Sequence, residues 1–164
     1  MNIYDHVFTS AQSAKAAVMS AANFRAQFTR GNWRIIGKER PGNGEAHLFT
    51  IYDVLAYALA RRLMIYGFEP AHALDIAIKD FAMASTGDRK PGGTNDPIKY
   101  GRTFFIASIS GGPGQCLAEN EIKNPIQLLI PPMCNRSHDA VIIDLYELRS
   151  SVFRSLGLDS RDYE

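Results

Sequence analysis

Residues 20–31 read SAANFRAQFTRG, and the fold turns on what this stretch is for. Ser20 is of the type that caps a helix N-terminus, its hydroxyl accepting from a backbone N–H two or three positions on, and Gly31 readily closes a helix in the left-handed conformation. Phe24 and Phe28 stand four apart, stacked on one side of a helix, and predict a core-facing stripe. Asn23 and Gln27 are also four apart, and Arg25 and Arg30 add cations. Two readings fit: a short amphipathic core helix with solvated charges, or a helix laid in a groove of DNA. The neighbours on either side decide.

Upstream, Thr9 followed three residues later by Gln12 reads as a capping box opening a helix at about Ser10. Ala11, Ala14, Lys15 and Val18 continue it at helical spacing to about Val18–Met19. The pair forms a helix-turn-helix outline. Downstream, WRIIG (33–37) and EAHLF (45–49) are β-forming runs around KERPGNG (38–44). The Pro41-Gly42 and Asn43-Gly44 pairs predict a β-hairpin, along which Arg34, Lys38 and Arg40 place cations. Thr50 and Asp53 then cap a helix through Ile51, Val54, Leu55, Ala58, Arg62 and Leu63 to Tyr66, closed by Gly67. Pro70 suits the first turn of another, reaching about Ala84.

Helix, turn, helix, hairpin, two helices is an order with a known counterpart. Residues 1–84 resemble the winged helix-turn-helix DNA-binding domain of the MerR family. The carrying landmarks are Phe8-Thr9, Gln12-Ser13-Ala14-Lys15, then Ser20, Phe24-Arg25 and Gly31, in unbroken register. His47-Leu48-Phe49 followed by Asp53 matches the end of that family's wing, and Gly67-Phe68-Glu69-Pro70 its break between later helices. The resemblance covers about half the chain. It departs in three places. Val18 stands where a turn glycine is usual, Ala26-Gln27 replaces an aromatic pair, and the long dimerisation helix is missing, as in small phage and mobile-element regulators.

The resemblance implies that the helix from Ser20 enters the major groove while the wing lies along phosphates. A helix N-terminus and its hydroxyl and amide side chains reach phosphates and base edges, and amides suit adenine. The candidate DNA-contacting residues are Thr9, Lys15, Ser20, Asn23, Arg25, Gln27, Arg30, Arg34, Lys38, Arg40 and His47. For the arginines the competing reading is a solvated face; for His47, a plain surface histidine.

Beyond this head, STGDRKPGGTNDP (85–97) lacks periodicity and reads as a linker or loop. RTFFIASI (102–109), IQLLI (126–130) and DAVIIDL (139–145) read as strands, and YELRSSVFRSLG (146–157) as a terminal amphipathic helix. The expected fold class is α+β: a winged helix-turn-helix over 1–84, the linker, and a small antiparallel sheet with a terminal helix over 98–164. The stripe Leu145, Leu148, Val152 and Leu156 either pairs subunits or covers that sheet.

Composition and chemistry narrow the function further. The chain of 164 residues is 46% apolar and carries a net charge of +1, which suits a globular fold rather than a disordered chain. Residues 1–66 hold eight Lys/Arg against four acids, and the rest ten against thirteen, so the front is basic and the back acidic. Met1 to His6 lacks the features of a signal peptide, and no apolar run reaches membrane-helix length. Cys116 and Cys134 lack metal-ligand spacing and read as reduced thiols of a cytoplasmic protein. The SGGPGQ run (110–115) lacks the Lys-Ser/Thr of a phosphate loop and reads as a hairpin turn. Ser137, His138 and Asp139 are adjacent, which does not make a triad. The four histidines are dispersed. The expectation is a transcriptional regulator binding an inverted repeat of double-stranded DNA as a homodimer, with no catalytic residues, metal or cofactor. The C-terminal module would dimerise or bind an unknown effector. Two alternatives remain: an excisionase-like architectural protein that bends DNA, and a small-molecule-binding module carrying a DNA-targeting head.

Overall fold

The computed structural model describes residues 6–34, 47–82, 102–124 and 140–159. Strand β1 (Val7–Thr9) runs straight into helix α1 (Ser10–Ala16) because Thr9 closes the expected capping box. Its hydroxyl accepts from the Gln12 N–H at 3.3 Å, and Gln12 Oε1 accepts from the Thr9 N–H at 2.9 Å. Helix α2 (Ala21–Thr29) follows a short turn and is capped by Ser20, whose Oγ accepts from the Asn23 N–H at 3.2 Å.

Strand β2 (Leu48–Thr50) realises the end of the EAHLF run. Its described partner is β1, antiparallel with Phe8 opposite Phe49, a pairing that Phe8-Thr9, read as the lead-in to α1, does not announce. Trp33 and Arg34 are in no strand, and residues 35–46, which hold the expected wing, lie outside the described residues. Helix α3 (Ile51–Ile65) opens with a second capping box: fully buried Asp53 accepts from the Thr50 N–H at 2.8 Å and the Thr50 hydroxyl at 2.7 Å. Helix α4 (Pro70–Ile76) starts on its proline and widens into a π-helical segment, Ala77–Ala82.

The second sheet is β4–β3–β5, antiparallel throughout, with β3 (Thr103–Ser108) central between β4 (Gln115–Ala118) and β5 (Ala140–Asp144). SGGPGQ forms the turn of the β3–β4 hairpin, where Gly111 and Gly112 adopt φ of 107° and 105°. The IQLLI run and residues 125–139 lie outside the described residues. Helix α5 (Leu145–Leu156) follows β5 directly, capped by Asp144. The Asp144 Oδ1 accepts from the Tyr146 N–H at 2.9 Å, while Oδ2 accepts from the Arg102 Nε–H at 2.8 Å.

The terminal helix does more than cover its sheet. Leu145, Leu148 and Val152 are buried, and α5 packs against α1 and α3 as well as β3. Leu145, Leu148 and Val152 are therefore core within the chain, with Leu156 partly buried against it. One hydrophobic cluster runs from Phe8 and Phe24 through Tyr57 and Leu63 to Phe105, Val152 and Phe153. The hairpin tip is locked to the π-helical segment: the Gly114 N–H donates to Asp80 Oδ2 at 2.7 Å, and Cys116 Sγ–H to the Asp80 carbonyl at 3.3 Å. A Cβ on Gly114 would overlap the Phe105 ring and press on Ile76 Cγ2 at 2.8 Å, so only glycine fits this approach.

Helices α1, α2, α3 and α5 end alike. After each, paired backbone bonds reach back five and three residues, and the residue between them is left-handed. Gly31, Gly67 and Gly157 fill that position after α2, α3 and α5, at φ of 72°, 98° and 73°. After α1 it is Val18, at φ 54°. Its N–H bonds Lys15 O at 3.0 Å, and the Met19 N–H bonds Ala14 O at 2.9 Å. The turn keeps the glycine geometry with a β-branched residue in it.

Candidate nucleic-acid interface

Helix α2 is held from one side by an aromatic cluster. Phe24 meets the edges of Trp33, Phe49 and Tyr57 at centroid distances of 5.9, 5.7 and 5.5 Å, and Phe28 joins the same group. Trp33 stacks on Tyr57 at 5.1 Å and 8°, and its indole N–H reaches the Pro70 carbonyl at 3.3 Å. Tyr57 donates to the Arg34 carbonyl at 2.9 Å. Burial, with the nearby Asp53 carboxylate, holds the Tyr57 hydroxyl well above its ordinary value, so it remains a donor. These contacts fix α2 and the first residues after it against α3 and α4.

The opposite side of α2 is polar and open. Asn23, Arg25, Thr29 and Arg30 are exposed, and neither arginine has an ion-pair partner among the described residues. The Thr29 hydroxyl bonds back to the Arg25 carbonyl at 3.2 Å. Lys15 and His47 are exposed, as is Ser20, whose oxygen is engaged as the cap and whose hydroxyl proton has no acceptor among the described residues. Thr9 is spent on its own helix: its hydroxyl donates to Gln12 Oε1 at 2.9 Å while also accepting from the Gln12 N–H. Arg34 is exposed beside Asp75, at 3.6 Å. Lys38 and Arg40 lie outside the described residues.

Gln27 departs from its expected place. It is only 7% exposed, and its Oε1 accepts from Asn32 Nδ2 at 3.0 Å. An ideal helix turns about 100° per residue, which sets Gln27 about 60° from Phe24, inside the apolar arc, with Asn23 just outside it. Spacing of four put the two amides on one stripe, but the edge of the buried face falls between them. Gln27 is packed at the end of α2 with its amide oxygen engaged by Asn32, and it is not on the open face. Thr29 takes its place on the open face, and the spacing from Phe24 and Phe28 was the signal for it: residues 22, 26 and 29 lie opposite, with Arg25 at the edge.

No protein-family model matches the chain, and no curated protein matches it in sequence. Among the described residues no helix is long and apolar enough to cross a membrane.

Proposed function

We propose that this protein is a sequence-specific DNA-binding transcriptional regulator, with α2 as the helix presented to the major groove. The observation that carries the reading is the division of α2 into a face clamped by aromatic rings and a face of Asn23, Arg25, Thr29 and Arg30 left without ion pairs among the described residues. A reading helix needs both: rigidity, so that side chains meet base edges at fixed angles, and unspent donors and acceptors. The Ser20 N-cap brings a helix N-terminus beside this face, a favourable place for a phosphate. The MerR resemblance supplies the order of elements and assigns the phosphate-tracking role to the hairpin, including Lys38 and Arg40. No catalytic step belongs to this reading.

The test uses the full chain. Each phosphate neutralised contributes about 0.9 to the slope of log affinity against log salt. Titration of a random-sequence duplex pool at falling ionic strength is expected to show that dependence, and selection from the pool to yield one recurrent site. A folded chain without DNA affinity at low salt overturns the reading.

The burial of the α5 stripe favours a second reading, the excisionase-like one, because it removes the surface that would otherwise have paired two copies on an inverted repeat. Selected sites separate the two. Inverted repeats point to a dimeric regulator, and direct repeats that bend on binding point to the architectural protein.

A further inference from the structure

Val18 is disfavoured twice over. It occupies a left-handed position that the corresponding turns after α2, α3 and α5 give to glycine, where a β-branched residue is a genuine outlier. The residue is also 66% exposed, so burial does not compensate the strain. Strain that packing leaves unexplained points to use.

The residue stands at the rim of a depression between α1, α3 and α5. Ala16, Ala17 and Ala58 make a floor of small side chains, with Leu148 and Val152 at its back. Val18 and Ile65, the latter 57% exposed, form apolar rims. Arg61 and Arg62 also line it, no acidic residue does, and neither arginine has a hydrogen-bond or ion-pair partner among the described residues. The cavity is about 80 Å3. That is too small for a drug-sized ligand, whose sites measure about 300–1,000 Å3, but it suits one inserted aliphatic side chain.

We propose that this depression docks a segment of a partner protein, an acidic stretch that inserts a Leu, Ile or Val between Val18 and Ile65 and sets its carboxylates on Arg61 and Arg62. The charge selects the occupant: two guanidinium groups without partners among the described residues, beside an apolar floor, reward an aliphatic side chain flanked by Asp or Glu. Val18 supplies one rim only because the chain tolerates it in a glycine's conformation. A contact this small gives a weak, reversible complex. The proposal does not depend on the DNA reading, and none of its residues belongs to the open face of α2.

The probe is a phage-displayed library of random peptides about twelve residues long, selected on the immobilised full chain, with winners resynthesised and titrated by fluorescence polarisation. Winners are expected to carry an aliphatic residue flanked by carboxylates. Arg61→Ala with Arg62→Ala should weaken them about tenfold or more, the scale of 1.4 kcal/mol. Val18→Gly should also weaken them while raising the melting temperature, a combination that a purely structural role does not give. Winners of other composition, no winners, or acidic winners indifferent to both variants overturn the proposal. So do variants that instead weaken DNA binding or change the sedimentation coefficient, which would assign the face to phosphates or to a second copy.

Discussion

At the scale of single residues, Val18 and Gln27 carry the sharpest consequences. A left-handed conformation costs an L-residue roughly 1–2 kcal/mol, and glycine removes that cost but gains freedom in the unfolded chain. Val18→Gly is therefore expected to stabilise the protein by about 1 kcal/mol, read as a higher urea midpoint at unchanged slope. A lower midpoint would mean that the side chain is held by contacts this geometry does not contain. The two amides of α2 should separate cleanly. Asn23→Ala, on the open face, should leave the melting curve unmoved and relax sequence preference by about 1–3 kcal/mol on the preferred site. Gln27→Ala removes the acceptor of a part-buried bond to Asn32 and should cost about 1–2 kcal/mol of stability with no change in which sites are preferred. Identical behaviour of the two variants across a panel of sites would remove the distinction.

Among the elements, those announced by caps and glycines were legible in the sequence. Thr9, Ser20, Thr50 and Pro70 start the helices expected of them, and Gly31 and Gly67 stop two. Strand β3, the turn after it, β5 and α5 were also legible, since apolar runs and a glycine-rich turn are local signals, whereas β4 went unread. What was not legible depends on partners distant in sequence: the pairing of β1 with β2, and the locking of the hairpin tip onto the π-helical segment. Neither has a spacing to betray it. On the candidate interface, exposure of Asn23, Arg25 and Arg30 was readable, whereas the burial of Gln27 needed the exact edge of an arc set by Phe24 and Phe28. The π-helical contact has a pH consequence. Burial raises the Asp80 carboxyl above its ordinary 3.8, despite the opposing bond from Gly114 and with Asp75 adding to the rise. The folded state then holds a proton that the unfolded state has released, so stability falls as pH rises from 3.8 through the folded value. Asp80→Asn keeps an oxygen for the Gly114 N–H and removes the titration. It should flatten the stability profile across that window, measured by urea melts from acid to neutral pH; an unchanged profile would place the titration on another group.

For the molecule as a whole, the decisive fact is that α5 closes the core of the helices ahead of it. Leu148→Asp with Val152→Asp puts two carboxylates among buried apolar side chains, at several kcal/mol each, against a total stability of about 5–15 kcal/mol for an ordinary domain. The variant should lose its cooperative melting by circular dichroism across the whole chain; a folded variant, whatever its sedimentation, would contradict the packing. The sequence offered two fates for this stripe, subunit pairing or sheet cover, because an amphipathic helix shows that it has an apolar face and not what lies against it. The same packing sets a timetable. Leu145 begins α5 129 residues beyond Ala16, the end of α1, and chains emerge from the ribosome at about 5–20 residues per second. The first helix therefore waits, at least several seconds, for the partner that completes its core, with Ala16 and the adjoining Ala17 uncovered on the α5 side. Contacts of such long sequence separation slow folding and lengthen the exposure of apolar surface. A chain stalled before residue 145 should remain protease-sensitive in α1 and recruit holdase chaperones, and emergence of α5 should end both together.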